Sequence, residues 1–189
     1  MSYIILNGMN SEDTLIPKIN DVLTKKLLDS DLKGETINLS EKEIKPCLGC
    51  FKCWIETPGI CIIDDYGRDV ARKMIQADYL IYLTPITYGG YSAELKKAVD
   101  RSICLLSPFF RIHHDEIHHE KRYDKYPNLL VIGTLTEPNK EQEEIFKTLV
   151  HRNHLNNFAE KYDSTIIYYT DELSDIYKKI ETSLKVVGE

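Results

Sequence analysis

The sequence predicts an α/β fold, a parallel sheet covered by helices on both faces. Short apolar runs rich in β-branched and aromatic residues alternate with longer stretches of helical period, and the alternation repeats five times. The chain has 189 residues, 42% of them hydrophobic and 29% charged, which suits one domain over residues 1–189 with a full core. It contains no internal repeat, low-complexity tract or interdomain linker.

Tyr3 to Leu6 is the first apolar run. Ile16, Ile19, Leu23 and Leu27 then recur at helical spacing on one face. Thr36 to Leu39 reads as a second strand, and a cysteine-rich segment follows it. A helix is expected from about 65 to 77, with Val70 and Met74 four apart. Tyr79 to Leu83 is the third strand; Ser92 suits the N-cap of a helix striped by Leu95, Val99 and Ile103. Residues 108–127 break the rhythm, and Leu129 to Ile132 resumes it as a fourth strand. Asn139 and Gln142 form a capping-box pattern at the start of a helix reaching about Phe158. Thr165 to Tyr169 is the fifth strand, and Leu173, Ile176, Ile180 and Leu184 mark the last helix.

The net charge of -6 disfavours a nucleic-acid or anionic-membrane partner, because phosphate binding needs a cationic field. No apolar run approaches the roughly 20 residues that span a bilayer. Met1 to Leu6 reads as a strand rather than a signal peptide, so the expected compartment is the cytoplasm. The five cysteines are then expected as free thiols or ligands, not as a disulfide framework.

Sheets of this kind bind ligands outside the carboxyl ends of the strands, where the strand order reverses. After the third strand comes Thr84-Pro85-Ile86-Thr87-Tyr88-Gly89-Gly90. Pro85 fixes one backbone angle, while Gly89 and Gly90 let a ligand approach the main chain. Main-chain N–H groups at Ile86, Thr87 and the glycines suit the polar edge of a flavin ring, and Tyr88 offers an aromatic face. A simple proline–glycine connection fits the same residues. After the first strand, Gly8, Asn10, Ser11, Asp13 and Thr14 lead into a helix whose N-terminal N–H groups suit a phosphate. These residues also serve as ordinary helix caps.

The sharpest constellation is Cys47-x2-Cys50-x2-Cys53-x7-Cys61, with Gly49, Pro58 and Gly59 supplying turns. Such thiols suit an iron-sulfur cluster, a redox-active or free set, or a structural zinc. Trp54 either shields that centre or packs in the core, and Cys104 reads as a buried inert thiol.

The stretch Thr84 to Arg101, with Pro85, Tyr88-Gly89, Ser92-Ala93-Glu94-Leu95-Lys96 and Asp100-Arg101, resembles the flavin-contact segment of the NAD(P)H-dependent FMN reductase and iron-sulfur flavoprotein family. The four cysteines, Gly49 and Asp64-Asp65 resemble the compact cluster motif of the same family. The resemblance covers residues 1 to about 135 and thereafter is one of pattern only. It implies a flavodoxin-like three-layer sandwich with strand order 2-1-3-4-5 and bound FMN. It also implies electron transfer between NAD(P)H, or a reduced redox protein, and a small-molecule acceptor or redox protein. By the same resemblance Cys47, Cys50, Cys53 and Cys61 are the ligands of a 4Fe–4S cluster, and the chain is a homodimer or homotetramer. The flavin carries the chemistry, so no side chain is named as catalytic. The phosphate loop departs from the family. It has no arginine, and Glu12-Asp13-Thr14 stands where Gly-Asn-Thr is usual. Two rival classes remain: a flavodoxin-type electron carrier, and a metal or thiol redox sensor with a vestigial flavin site.

Residues 108–127 hold His113, His114, His118 and His119. His114 and His118 would share a face of a helix, but the order of a zinc-protease motif is absent. The segment reads as a functional or subunit-contact loop, placed to cover the ligand loops.

Overall fold

The computed structural model describes residues 1–9 and 13–188. Asn10, Ser11 and Glu12 lie outside the described residues. The chain runs β1 (Ser2–Asn7), α1 (Ile16–Asp29), β2 (Lys33–Asn38), α2 (Lys52–Ile55), α3 (Tyr66–Gln76), β3 (Tyr79–Pro85) and α4 (Ala93–Arg101). It continues through β4 (Leu106–His113), β5 (Glu116–Lys121), β6 (Asn128–Leu135), α5 (Lys140–Asn156), β7 (Tyr162–Tyr168) and α6 (Leu173–Gly188).

Five strands form one sheet in the order β2-β1-β3-β6-β7, with every neighbouring pair parallel. Numbered within this sheet alone the order reads 2-1-3-4-5. Along the chain the numbering differs from that expectation, because β4 and β5 form a separate antiparallel pair.

The pleat sorts alternate residues to two cores. Ile4, Leu6, Leu80, Tyr82, Leu129 and Val131 face α3, α4 and α5, where Met74, Leu95 and Phe146 meet them. Tyr3, Ile5, Ile81, Leu83, Leu130 and Ile132 face α1 and α6, against Leu23, Leu27 and Ile180. Burying each such Leu or Ile contributes about 1.5–3 kcal/mol. Two helix starts follow their expected caps, Ser92 accepting from Leu95 N and Asn139 from Gln142 N, and at a third Asp65 accepts from Gly67 N. Among the described residues no helix is long and apolar enough to cross a membrane.

Residues 108–127 are mostly a hairpin, not a loop or helix. His114 and Asp115 take positive φ of 50° and 60° at its turn, so His114 and His118 share no helix face. The hairpin docks on the far end of α5. Glu116 pairs with Arg152 at 2.7 Å, His118 lies 3.1 Å from Asn156, and Arg111 sits over the Phe158 ring. The glycine turn after β3 touches α5 at Gln142 and Ile145 instead. Ten residues of helix, about 15 Å, separate the two contacts. The hairpin instead meets the cysteine segment, where the His119 ring lies 4.8 Å from that of Trp54.

Candidate functional site

The fold brings the loops after β1 and β3 together at the reversal point of the sheet. Gly8 N donates to Leu83 O at 2.8 Å, and Ser92 Oγ donates to Gly8 O at 2.6 Å. A Cβ on Gly8 would lie 2.6 Å from Ser92 Oγ and 2.7 Å from Leu95 Cβ, so only glycine lets the loop rest on α4. Ser92 therefore caps α4 and ties it to the first loop. Ser92→Ala is expected to lower stability by about 1–2 kcal/mol in urea unfolding, from the lost cap and the orphaned carbonyl.

Thr84 to Gly90 forms a tight turn. Thr87 and Gly90 exchange two main-chain hydrogen bonds at 3.0 and 2.9 Å, with Tyr88 at φ 50° and Gly89 at φ 76°. A Cβ on Gly89 would come within 2.5 Å of Ile145, which explains glycine there. Ile86 N donates to Thr134 O, and Ser92 N to Thr84 Oγ1. The N–H groups of Ile86, Thr87 and Gly90 thus serve the fold, and the surface offered to a ligand narrows to the turn tip. There Tyr88 is 92% exposed. Behind the turn, Tyr91 stacks edge-on between Tyr82 and Phe146 and receives a hydrogen bond from Asn153. Burial pushes the Tyr91 hydroxyl up to about 12.

The phosphate end is different. Asp13 Oδ1 accepts from Leu15 N at 3.0 Å and from Ile16 N at 2.9 Å, so the carboxylate itself takes donors a phosphate would need. Pro17 removes another first-turn N–H. Thr14 is exposed beside Asp13. The exposed turn tip is thus the part of this region open to a ligand ring, while at the described phosphate end two main-chain donors are already engaged by Asp13.

Cys47, Cys50, Cys53 and Cys61 line one pocket together with Arg101 and Ile103. Burial, then the negative charges of Cys61, Cys47 and Cys50, raise the Cys53 thiol above its ordinary range. Cys104 lies beneath, and burial pushes it up to about 12. The expected metal ligands are nevertheless not gathered around a single point. Among the described residues no three His, Cys, Asp or Glu side chains are arranged to hold a metal ion. Cys50 is exposed while Cys53 is buried at the start of α2, so the thiols stand at different depths. A single zinc, with thiolates about 2.3 Å from one ion, does not fit this arrangement.

Two residues that the sequence reading carried only as motif members, Asp65 and Arg101, organise the pocket. Arg101, 2% exposed, donates to both Asp65 oxygens at 3.0 and 2.9 Å and to the carbonyls of Lys45 and Ile63. Lys45 precedes the first cysteine and Ile63 follows the fourth, so one guanidinium clasps both ends of the segment. Asp65 also accepts from Lys45 N and Gly67 N. Burial works against the Asp65 carboxylate, but the Arg101 and main-chain hydrogen bonds outweigh it and hold the carboxyl below its ordinary range. The Asp100-Arg101 pair that closed the flavin-contact stretch was the signal for this role. Its partners lie 36 to 56 residues away.

Residues 1–122 match the sequence family of NADPH-dependent FMN reductases. An iron-sulfur flavoprotein of Methanocaldococcus jannaschii is 40% identical over 76 residues, which are 40% of this chain and 38% of that protein. An FMN-dependent NADPH-azoreductase of Staphylococcus aureus is 29% identical over 100 residues, covering 53% of this chain and 51% of that protein. The chain thus spans about half or less of these curated relatives. An FMN-dependent NADH-azoreductase from Bacillus anthracis, solved in complex with FMN, shares the fold at 11% identity, with a TM-score of 0.67 over 100% of both chains. By its match over residues 1–122, the chain belongs to the NADPH-dependent FMN reductase family.

Proposed function

We propose that the chain is an FMN-dependent oxidoreductase that moves electrons from NAD(P)H, or from a reduced redox protein, to a small acceptor or a second redox protein. The observation that carries this reading is the apposition of the β1 and β3 loops, held by Gly8 and Ser92, in a chain of this family. When bound, the flavin supplies the hydride and single-electron chemistry. The protein's part is positional. Tyr88 and Gly89 present the ring contact, Ile86 and Thr87 fix the turn, and Tyr91 with Phe146 keeps water from behind it.

We further propose that Cys47, Cys50, Cys53 and Cys61 are the residues that would hold a 4Fe–4S cluster. Support comes from the shared pocket and from the buried Arg101 cation, which offsets thiolate charge. A cluster spreads its thiolates more widely than a single ion does. The exposed Phe109, Phe110, Ile112 and Ile117 of the hairpin support a homodimer or homotetramer, and the five free cysteines suit a reducing cytoplasm.

Anaerobic purification, a visible spectrum, iron, sulfide and zinc analysis, and NADH and NADPH oxidation test these readings together. Flavin bands with nicotinamide oxidation, and iron equal to sulfide that is lost in Cys53→Ser, are the expected results. Flavin without iron removes the cluster and leaves the reductase. Flavin without nicotinamide oxidation makes the chain a carrier of flavodoxin type. Neither chromophore favours a thiol redox sensor, the reading that the Asp13 carboxylate at the phosphate end supports.

A further inference from the structure

A guanidinium has five N–H donors in one rigid plane. Four of those on Arg101 are engaged. Nη1 donates to Lys45 O and Asp65 Oδ2, and Nη2 to Ile63 O and Asp65 Oδ1. The fifth, on Nε, has no acceptor among the described residues, although the side chain is only 1% exposed. Buried donors are nearly always paired, so this one calls for a group that it can serve. Arg101 lines the cysteine pocket, and Cys61 lines it too. Burial works against the Arg101 cation, but the Asp65 carboxylate and the Cys61 sulfur outweigh it and raise the guanidinium above its ordinary range. Cys61 is itself held in place. Arg68 Nε donates to Cys61 O at 2.7 Å, and Arg68 Nη2 to Ile62 O at 3.1 Å. Three consecutive carbonyls, from Cys61 to Ile63, thus accept from two arginines. The sulfur of the first lies beside the arginine with a donor to spare. Ile62, Ile63 and Ile103 wall the pocket, and an apolar wall strengthens any charge contact inside it.

We propose that the Nε–H of Arg101 is the hydrogen-bond donor to the Cys61 sulfur when that sulfur ligates the cluster, and that Arg101 thereby raises the reduction potential of the centre. The proposal rests on the reading of the four cysteines as cluster ligands. Reduction adds one electron, and with it negative charge on the ligating sulfurs. A donor and a fixed cation at Cys61 stabilise that charge more in the reduced state than in the oxidised one. Arg101 acts through Cys61 and is a positioning and tuning residue.

The test is a redox titration of the full chain, reconstituted anaerobically with iron and sulfide and followed by electron paramagnetic resonance. Arg101→Lys keeps a charge beside Asp65 and removes the planar fork with its Nε donor. Its centre should hold the added electron about tenfold less tightly, a fall of about 59 mV. Arg68→Lys loosens the same segment at main-chain carbonyls alone, so its potential should move by much less. Resonance Raman spectra in light and heavy water give a second readout. The iron–sulfur bands of wild type should shift on exchange, and those of Arg101→Lys should shift less, because a proton on the sulfur bond has gone. If Arg101→Lys does not fold, Arg101→Met with Asp65→Leu removes donor and buried charge together, and at least the same fall is expected. An unchanged potential, equal exchange shifts, or an equal fall in Arg68→Lys overturns the proposal and leaves the cluster. Wild type that takes up neither iron nor sulfide overturns the cluster reading and the proposal with it.

Discussion

Arg101→Met is expected to destabilise the protein by about 3–5 kcal/mol, because it leaves the buried Asp65 carboxylate without its cation. In a chain of this size that lowers the melting temperature by roughly 6–20 °C. The side chains of Arg101 and Asp65 are 1% and 4% exposed, so solvent neither screens the pair nor replaces the lost bonds. The damage should also be local. The carbonyls of Lys45 and Ile63 lose their shared donor, and both ends of the cysteine segment are released. Faster reaction of the four thiols with a disulfide reagent, measured below the unfolding transition, checks that. The double variant Arg101→Met with Asp65→Leu should recover much of the loss, since no lone buried charge remains.

The same pair predicts an acid limit. The folded Asp65 carboxyl is held below its ordinary value of 3.8, so its stabilisation is complete above that value and disappears as pH falls through the lower folded value. The advantage of wild type over Arg101→Met should thus be present above pH 3.8 and shrink as pH falls below it, through the lower folded value. A constant gap down to pH 2 would exclude the pair as its source.

Gly8→Ala is the second large effect. Its methyl would press on Ser92 Oγ and on Leu95 Cβ, and neither atom sits at the end of a flexible chain. Overpacking of this kind costs about 1–3 kcal/mol. Relief requires the first loop to lift from α4, which breaks the bond from Ser92 Oγ to Gly8 O and opens the crevice between the two loops. Flavin affinity should therefore fall by about tenfold, a loss equivalent to about 1.4 kcal/mol, with the far-ultraviolet spectrum retained. Equal affinity in the variant and wild type would mean that the loop apposition does not form the binding site.

The interior of this fold was legible because β1, β3 and β6 are buried on both faces and read as unbroken apolar runs. The edge strands β2 and β7 were legible only in their apolar halves. Each begins three residues before the sequence signal, where Lys33-Gly34-Glu35 and Tyr162-Asp163-Ser164 pair with one neighbour only. The hairpin was hidden for another reason. Its register slips between Leu106 and Phe110, adjacent Phe109 and Phe110 are both exposed, and its turn uses His114-Asp115 in place of the usual Asn or Gly. In the site, the residue types announced the tight glycine turn and the cysteine pocket. What they could not announce was direction. That Asp13 faces the helix N-terminus, and that Arg101 reaches back across the fold, depends on contacts made only once the layers are stacked.

Trp54 is the single tryptophan of the chain. Its indole N–H donates to Ile103 O, and its ring lies 5.0 Å from Phe51 on one side and 4.8 Å from His119 on the other. Phe51 belongs to the cysteine segment and His119 to the hairpin, so one fluorophore sits at the seam between the two additions to the sheet. Its emission serves as a built-in reporter. A change at the thiols, or a shift of the hairpin against α5, alters the surroundings of the same indole and is observable in the unlabelled protein.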